Sequence, residues 1–173
     1  MKKETRALLK IRAIAMAKEP EHKTTALNMI EVVTFMLATE NYGIESAFIK
    51  EVYPLKDFTP LPGVPSYILG IINVRGQILP VVDLKKFFNL PEKGLGELNK
   101  VIILRDDQME FGILADVVHG TQSIEIEEIK VLPSTISGIR EVYLKGVTKD
   151  NLIILNAEKL LTDKRIIVNS EVT

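Results

Sequence analysis

Two histidines, a handful of acids and one arginine turn are the residues of this chain whose types could do chemistry. Acid–base catalysis needs polar groups that converge with matched proton affinities. His22 lies in a polar stretch and reads as a solvated side chain. His119 sits in a strand-like run just before Gly120, with no Ser or carboxylate nearby in a triad-type segment. Asp106, Asp107 and Asp116 raise the question of a metal. Asp106-Asp107 between two apolar runs is better read as turn chemistry, and neither an EF-hand nor an HExxH spacing occurs. Glu125, Glu127 and Glu128 form an acidic cluster, most simply a solvated face. Gly94-x-Gly96 is too short for a dinucleotide fingerprint, and no GxxxxGK[ST] phosphate loop is present. The chain has no Cys, which excludes thiolate ligands, disulfides and Cys nucleophiles. The expectation is therefore no catalytic residue, no metal and no cofactor.

One feature stands apart from this list of weak candidates. Arg75-Gly76 is a two-residue turn between the apolar runs Ile68–Val74 and Gln77–Val82. Gly76 can adopt positive φ there. Rigid flanks would present a planar, five-donor guanidinium at the rim of the fold. On spacing alone, such an arginine simply points into water.

The elements around that turn are strands. The 173 residues are 46% hydrophobic but only 6% aromatic, with no Trp, so the core must be aliphatic. Val and Ile favour pleated surfaces. From Glu31, VVTFMLAT alternates with Val33, Phe35 and Leu37 on one face, and Glu40-Asn41 reads as the turn into Tyr42-Gly43-Ile44. Ser46–Val52 reads as a short helical turn ended by Pro54. Pro60, Pro62, Gly63 and Pro65 force an extended loop. Pro80 requires a place where no ladder N–H is needed, at an edge or bulge. Asp83 is positioned to cap a helix over 84–88, and Asn156 one over 157–161. Further strands are expected over 101–104, 111–115, 117–124, 139–147 and 152–155. The order strand, turn, strand, cap, short helix occurs at 70–88 and again at 146–161, which suggests two related sub-barrels.

Residues 1–21 differ from the rest. They hold six Lys/Arg and three Glu, a net +3, against −4 for the remainder. Ala7, Leu8, Ile11, Ile14 and Ala15 form a narrow stripe at helical spacing, stopped by Pro20. The stripe fits a helix that packs on its own domain; a partner-binding or membrane-surface role is the alternative. No apolar run approaches the length that spans a bilayer, and no uninterrupted signal-peptide core follows Lys2 and Lys3. A soluble, cytoplasmic protein is expected. The net charge of −1 argues against nucleic acid as a partner.

The run Gly70-Ile71-Ile72-Asn73-Val74-Arg75-Gly76-Gln77-Ile78-Leu79-Pro80-Val81-Val82-Asp83-Leu84 resembles the signature of CheW-like domains. That signature is an Asn-Leu-Arg-Gly turn followed by Ile-x-Pro-Val-x-Asp-Leu, and Val74 stands where Leu is usual. Tyr42-Gly43-Ile44, Ile49-x-Glu51-Val52, the Pro-rich loop, Phe111-Gly112-Ile113, Asp116-x-Val118 and Leu152–Asn156 with Lys159-Leu160-Leu161 fit in order. The resemblance implies an all-β fold of two intertwined five-stranded SH3-like barrels sharing a core. Residues 29–165 would form that domain, 1–28 an N-terminal helix and linker, and 166–173 a tail.

The resemblance also implies a non-enzymatic chemotaxis adaptor. It would join the signalling tip of a methyl-accepting chemoreceptor to the regulatory domain of a CheA-type histidine kinase, in membrane-associated arrays that allow self-association. Arg75, Gly70, Ile49, Glu51, Asn73 and Gly76 are the implied receptor-side residues. Arg75 would make a directed charge contact or, the favoured role, hold the groove by hydrogen bonds to loop carbonyls. The alternatives are a scaffold for a non-motility system or an array competitor, and, further off, a ligand-binding or enzymatic small barrel.

Overall fold

A computed structural model describes residues 28–92, 94–96, 98–132 and 138–166. The expected N-terminal helix and most of the tail lie outside the described residues. Ten strands form two five-stranded sheets. They are β1 (Met29–Leu37), β2 (Glu40–Glu45), β3 (Ile49–Pro54), β4 (Ile68–Val74) and β5 (Gln77–Val82). Then come β6 (Lys100–Arg105), β7 (Glu110–Ala115), β8 (Val117–Glu125), β9 (Leu144–Val147) and β10 (Leu152–Leu155). Two short helices, α1 (Leu84–Phe87) and α2 (Ala157–Thr162), follow β5 and β10.

The strand orders are β8-β1-β2-β10-β9 and β3-β6-β7-β5-β4. The two orders share one pattern of pairing, related by a circular permutation of the strands, and each contains one parallel pair, β2 with β10 and β7 with β5. Each sheet also takes a strand from the other's neighbourhood. β3 follows β2 but completes the second sheet, and β8 follows β7 but completes the first. The echo read at 70–88 and 146–161 is this repeat. Asp83 accepts from the Lys85 N–H at 3.0 Å, and Asn156 from the Lys159 N–H at 3.2 Å, so both expected caps form.

Strand alternation divides the aliphatic side chains among three cores. Phe35, Leu37, Ile102, Leu104, Phe111, Ile113, Ile153 and Leu155 meet between the sheets, with α1 and α2 packed on them. The intervening residues of the same strands fill the barrels. Val101, Ile103 and Leu114 lie in one, and Val32, Leu152 and Ile154 in the other. Central strands buried on both faces explain the near-continuous apolar runs.

A matched pair of glycines admits an extra segment to each sheet. Thr59 bridges to Ile71 and Lys130 to Val147. A Cβ on Gly70 (φ 153°) would lie 2.4 Å from the Thr59 carbonyl oxygen, and one on Gly146 (φ 159°) 2.3 Å from that of Lys130. Only glycine permits this approach.

Four local expectations are corrected. The β1–β2 turn is made by Ala38-Thr39, with Ala38 at φ 58°, and Glu40-Asn41 belong to β2. Residues 46–52 are not one helical turn. A 3-10 turn covers only Ser46–Phe48, and Ile49 begins β3. Residues 139–147 are not one strand, because Ile139–Tyr143 is a 3-10 turn. Pro80 is on an interior strand. It stands opposite Ile71, whose N–H and C=O both bond Thr59, and pairing with β7 starts only at Val81. No ladder therefore asks for its missing N–H.

The two sheets are tied by polar joints. The buried Lys85 ammonium donates to Asp116 at 2.5 Å, and the other Asp116 oxygen accepts from the Ala38 N–H at 2.7 Å. This links α1 to the β1–β2 turn of the opposite sheet. At the other side, Tyr67 donates to the Arg165 carbonyl at 2.6 Å, while the Arg165 guanidinium lies over the Phe87 and Tyr143 rings.

Candidate functional site

Arg75 and Gly76 form the β4–β5 turn with φ 53° and 86°, both positive, as a two-residue type I′ hairpin demands. The Asn73 side-chain oxygen accepts from the Gly76 N–H at 2.8 Å and locks the turn. A Cβ on Gly76 would meet nothing within 4 Å, so its conformation and not crowding calls for glycine.

The Arg75 guanidinium pairs with the Glu51 carboxylate on β3. β3 and β4 are the two edges of their sheet. A contact from the β4 turn to β3 therefore means that the sheet curls round upon itself, and this ion pair spans the mouth of the resulting barrel. The neighbouring rim is also polar. Lys50 donates to Glu110 at 3.0 Å and to Gln77 at 3.4 Å, and Gln77 donates to Glu110 at 3.1 Å. Ile78, opposite Asn73 in the ladder, stands 55% exposed beside these charges.

Of the six residues named from sequence, the structure brings Arg75, Glu51, Asn73 and Gly76 together. Ile49 starts the same strand as Glu51 but is half-buried against the inter-sheet core. Gly70 is buried near the other end of β4, under the Thr59 segment, where its role is close approach of backbone. The favoured role for Arg75 is corrected. Its partner among the described residues is a carboxylate, not the loop carbonyls, and its side chain remains 73% exposed. Lys50, Gln77 and Glu110 complete the rim and were not anticipated. Reading 46–52 as helical hid strand β3 and the register shift between Ile49 and Glu51, which leaves Lys50 as an extra, unpaired residue of that strand.

The remaining candidates are placed as follows. Asp106 accepts from the Gln108 and Met109 N–H groups at 2.8 and 2.7 Å, the turn role expected for it. Asp116 is committed to Lys85. His119 is exposed on β8, in an open depression of about 340 Å³ that it shares with Thr34, Asn41, Gln122 and Asp150. Among the described residues, no three His, Cys, Asp or Glu side chains are grouped to hold a metal. None of the described helices is long and apolar enough to cross a membrane.

The perturbed titrations are structural. Burial alone would raise Glu40, but hydrogen bonds from Arg140 and Tyr42 outweigh it and hold the carboxyl below its usual range. Burial, and then the bond to Glu40, pushes the Tyr42 hydroxyl up. Likewise burial and the Asp163 contact push Tyr143 up to about 12. Asp163 is pulled down by Tyr143 and Arg165 against the effect of burial. Each cluster pins a chain segment, the turn at 139–143 or the end of the fold, away from the barrel rim.

Paired small barrels with an exposed, rigidly held polar rim define a docking module. A CheW-like domain profile matches residues 31–165. The chain is 33% identical to the chemotaxis protein CheW of Treponema pallidum, over 79% of this chain and 84% of that protein. It is 30% identical to Protein FrzA of Myxococcus xanthus, over 89% and 94%. The crystal structure of the scaffolding protein TtCheW from Thermoanaerobacter tengcongensis aligns with a TM-score of 0.65 at 33% identity, covering 73% of this chain and 82% of that one. The chain belongs to the CheW-like family, and with that family it is an adaptor of chemotaxis signalling.

Proposed function

We propose that this adaptor couples the cytoplasmic tip of a methyl-accepting chemoreceptor to the regulatory domain of a CheA-type kinase, and that it does so without catalysis. Residues 29–165 are the working unit, recruited from the cytoplasm to receptor arrays. The observation that carries this reading is the Arg75–Glu51 pair across the barrel mouth. It holds a guanidinium in water on a turn locked by Asn73, beside the exposed Ile78. The complement to this rim is a helix with an apolar stripe for Ile78 and a carboxylate beside it for Arg75. Arg75, Glu51, Asn73 and Gly76 form the receptor-side contact. Ile49 and Gly70 support it from behind, one through the core and the other through the Thr59 segment.

The test is reconstitution of receptor tip, kinase and adaptor, comparing wild type with Arg75→Ala. The variant should remain folded, bind the receptor tip more weakly and activate the kinase less. Unchanged binding and activation refute the assignment of Arg75. A measurable turnover by the adaptor alone refutes the non-catalytic reading.

A further inference from the structure

Both residues of the Arg75–Glu51 pair stand next to irregular backbone. Arg75 is in the two-residue turn, at φ 53°. Glu51 follows a β-bulge, because the register of β3 on β6 shifts between Ile49 and Glu51 and leaves Lys50 without a ladder partner. Lys50 precedes Glu51 in the chain, and Gln77 follows the Arg75-Gly76 turn. Glu110 on β7 joins the two. One of its oxygens accepts from the Lys50 ammonium at 3.0 Å and the other from the Gln77 amide at 3.1 Å, while Lys50 also reaches Gln77 at 3.4 Å. The ring so closed sends no hydrogen bond to Arg75 or Glu51 among the described residues. It acts on their backbone neighbours instead.

The other barrel provides an internal control. Aligning Leu104 of β6 with Phe35 of β1 places Glu110 on Asn41 and Lys50 on His119, and the parallel pairs then place Gln77 on Asp150. His119 is likewise skipped by its ladder, since Thr34 pairs with Gly120 and Phe35 with Val118. Yet Asn41, His119 and Asp150 line an open depression of about 340 Å³ rather than a bonded ring. The same scaffold therefore folds with that mouth left open. The ring is built only at the mouth that carries Arg75, so closing a barrel is not what it is for.

We propose that Glu110 is a positioning residue for docking at Arg75: through Lys50 and Gln77 it fixes the backbone on both sides of the Arg75–Glu51 pair, so that the guanidinium meets its partner already aimed. The docking half of this inference rests on the reading of Arg75 as a receptor contact. A side chain ordered beforehand loses less freedom when it binds.

The test uses the full chain and two readouts. In the free adaptor, the Arg75 Nε–Hε group should show the strongly positive heteronuclear NOE of an ordered side chain. Glu110→Ala should cut that value by at least half while signals from the inter-sheet core keep their positions. Titration with a receptor signalling-tip fragment should weaken about three- to tenfold in Glu110→Ala, but by less than about 1.5-fold when the same change is made in Arg75→Ala. Lys50→Met breaks the ring and leaves Glu110 in place. It should act in the same direction, and it decides the matter if Glu110→Ala does not fold. An Arg75 NOE that is low in the wild type, or unchanged when the ring is broken, overturns the proposal. So does an equal loss of binding in the two backgrounds, because the ring then acts without Arg75. If Arg75→Ala alone binds as wild type, the receptor assignment fails, while an NOE lost on breaking the ring leaves the ordering of Arg75 by Glu110 standing.

Discussion

Arg75 occupies a position that its own backbone disfavours, and replacing it by Asn separates binding from stability. Its φ of 53° lies in the left-handed region, which costs a residue with a side chain about 1 kcal/mol or more. Asn before Gly is the strongest type I′ combination, so Arg75→Asn relieves much of that cost. The same change removes the pair with Glu51. With the Arg75 side chain 73% exposed, that pair contributes no more than about 1 kcal/mol. The two effects oppose each other, and the net change stays within about 1 kcal/mol. For a chain of this size the melting temperature then moves by less than about 4 °C. Arg75→Ala keeps the strain and loses the pair, so it is the less stable of the two. Receptor binding should behave differently. Loss of a charge-assisted contact costs about 1.5–3 kcal/mol, a weakening of roughly 10- to 100-fold. Calorimetric melting and titration with a receptor tip give both numbers on the same sample. Melting lowered by much more than 4 °C would make Arg75 a strut of the barrel, and binding within twofold of wild type would remove it from the interface.

The buried Lys85–Asp116 joint should respond asymmetrically. Asp116→Asn strands an ammonium whose side chain is 2% exposed and should cost about 3–5 kcal/mol. Lys85→Met leaves a carboxylate that still accepts from Ala38 and should cost less; urea midpoints that reverse this order refute the account. Gly70→Ala and Gly146→Ala each drive a methyl into a carbonyl oxygen. Each should cost about 2 kcal/mol or more by urea unfolding, and a neutral result would mean that the bridging segments are not held. Glu40 and Asp163 are held below their usual range. The stability they confer is present above their unfolded values near pH 4 and is lost as pH falls through their folded values. Asp83 is raised by burial, so its sign is opposite, and its charge weighs against the fold as pH rises through its folded value. Asp83→Asn keeps a good cap and should be neutral or stabilising at pH 7; marked destabilisation would show that the charge itself is needed.

Strand periods and caps were legible because they depend on local chemistry. Asp83, Asn156, Arg75-Gly76 and Asp106-Asp107 each took the role their residue types require. The misread segments are those that tertiary context decides. Ile49–Pro54 is a strand because β6 is there to pair with it. Residues 139–143 form a 3-10 turn whose Arg140 reaches Glu40 and Tyr42, about a hundred positions away. Half of the candidate site followed from the Asn73–Gly76 turn. The other half, Lys50 and Glu110, required knowing the strand order and curl that gather β3, β7 and the start of β5 at one rim. No spacing within a single segment carries that information.

The strand exchange bears on what an adaptor must do. A module of two separately folded barrels would let one docking face rotate against the other and dissipate a signal between them. Here β3 and β8 each leave one sheet's neighbourhood to complete the other, and the largest core is shared by both sheets. Lys85, Asp116 and Ala38 bridge them on one side, and Tyr67, Arg165 and Tyr143 on the other. Relative motion of the barrels would have to break a buried ion pair and open the common core together. The rim at Arg75 is therefore fixed relative to every face of the opposite barrel. A displacement imposed at the rim is passed on as movement of the whole body, which is the physical requirement for coupling a partner at the rim to a second one on another face.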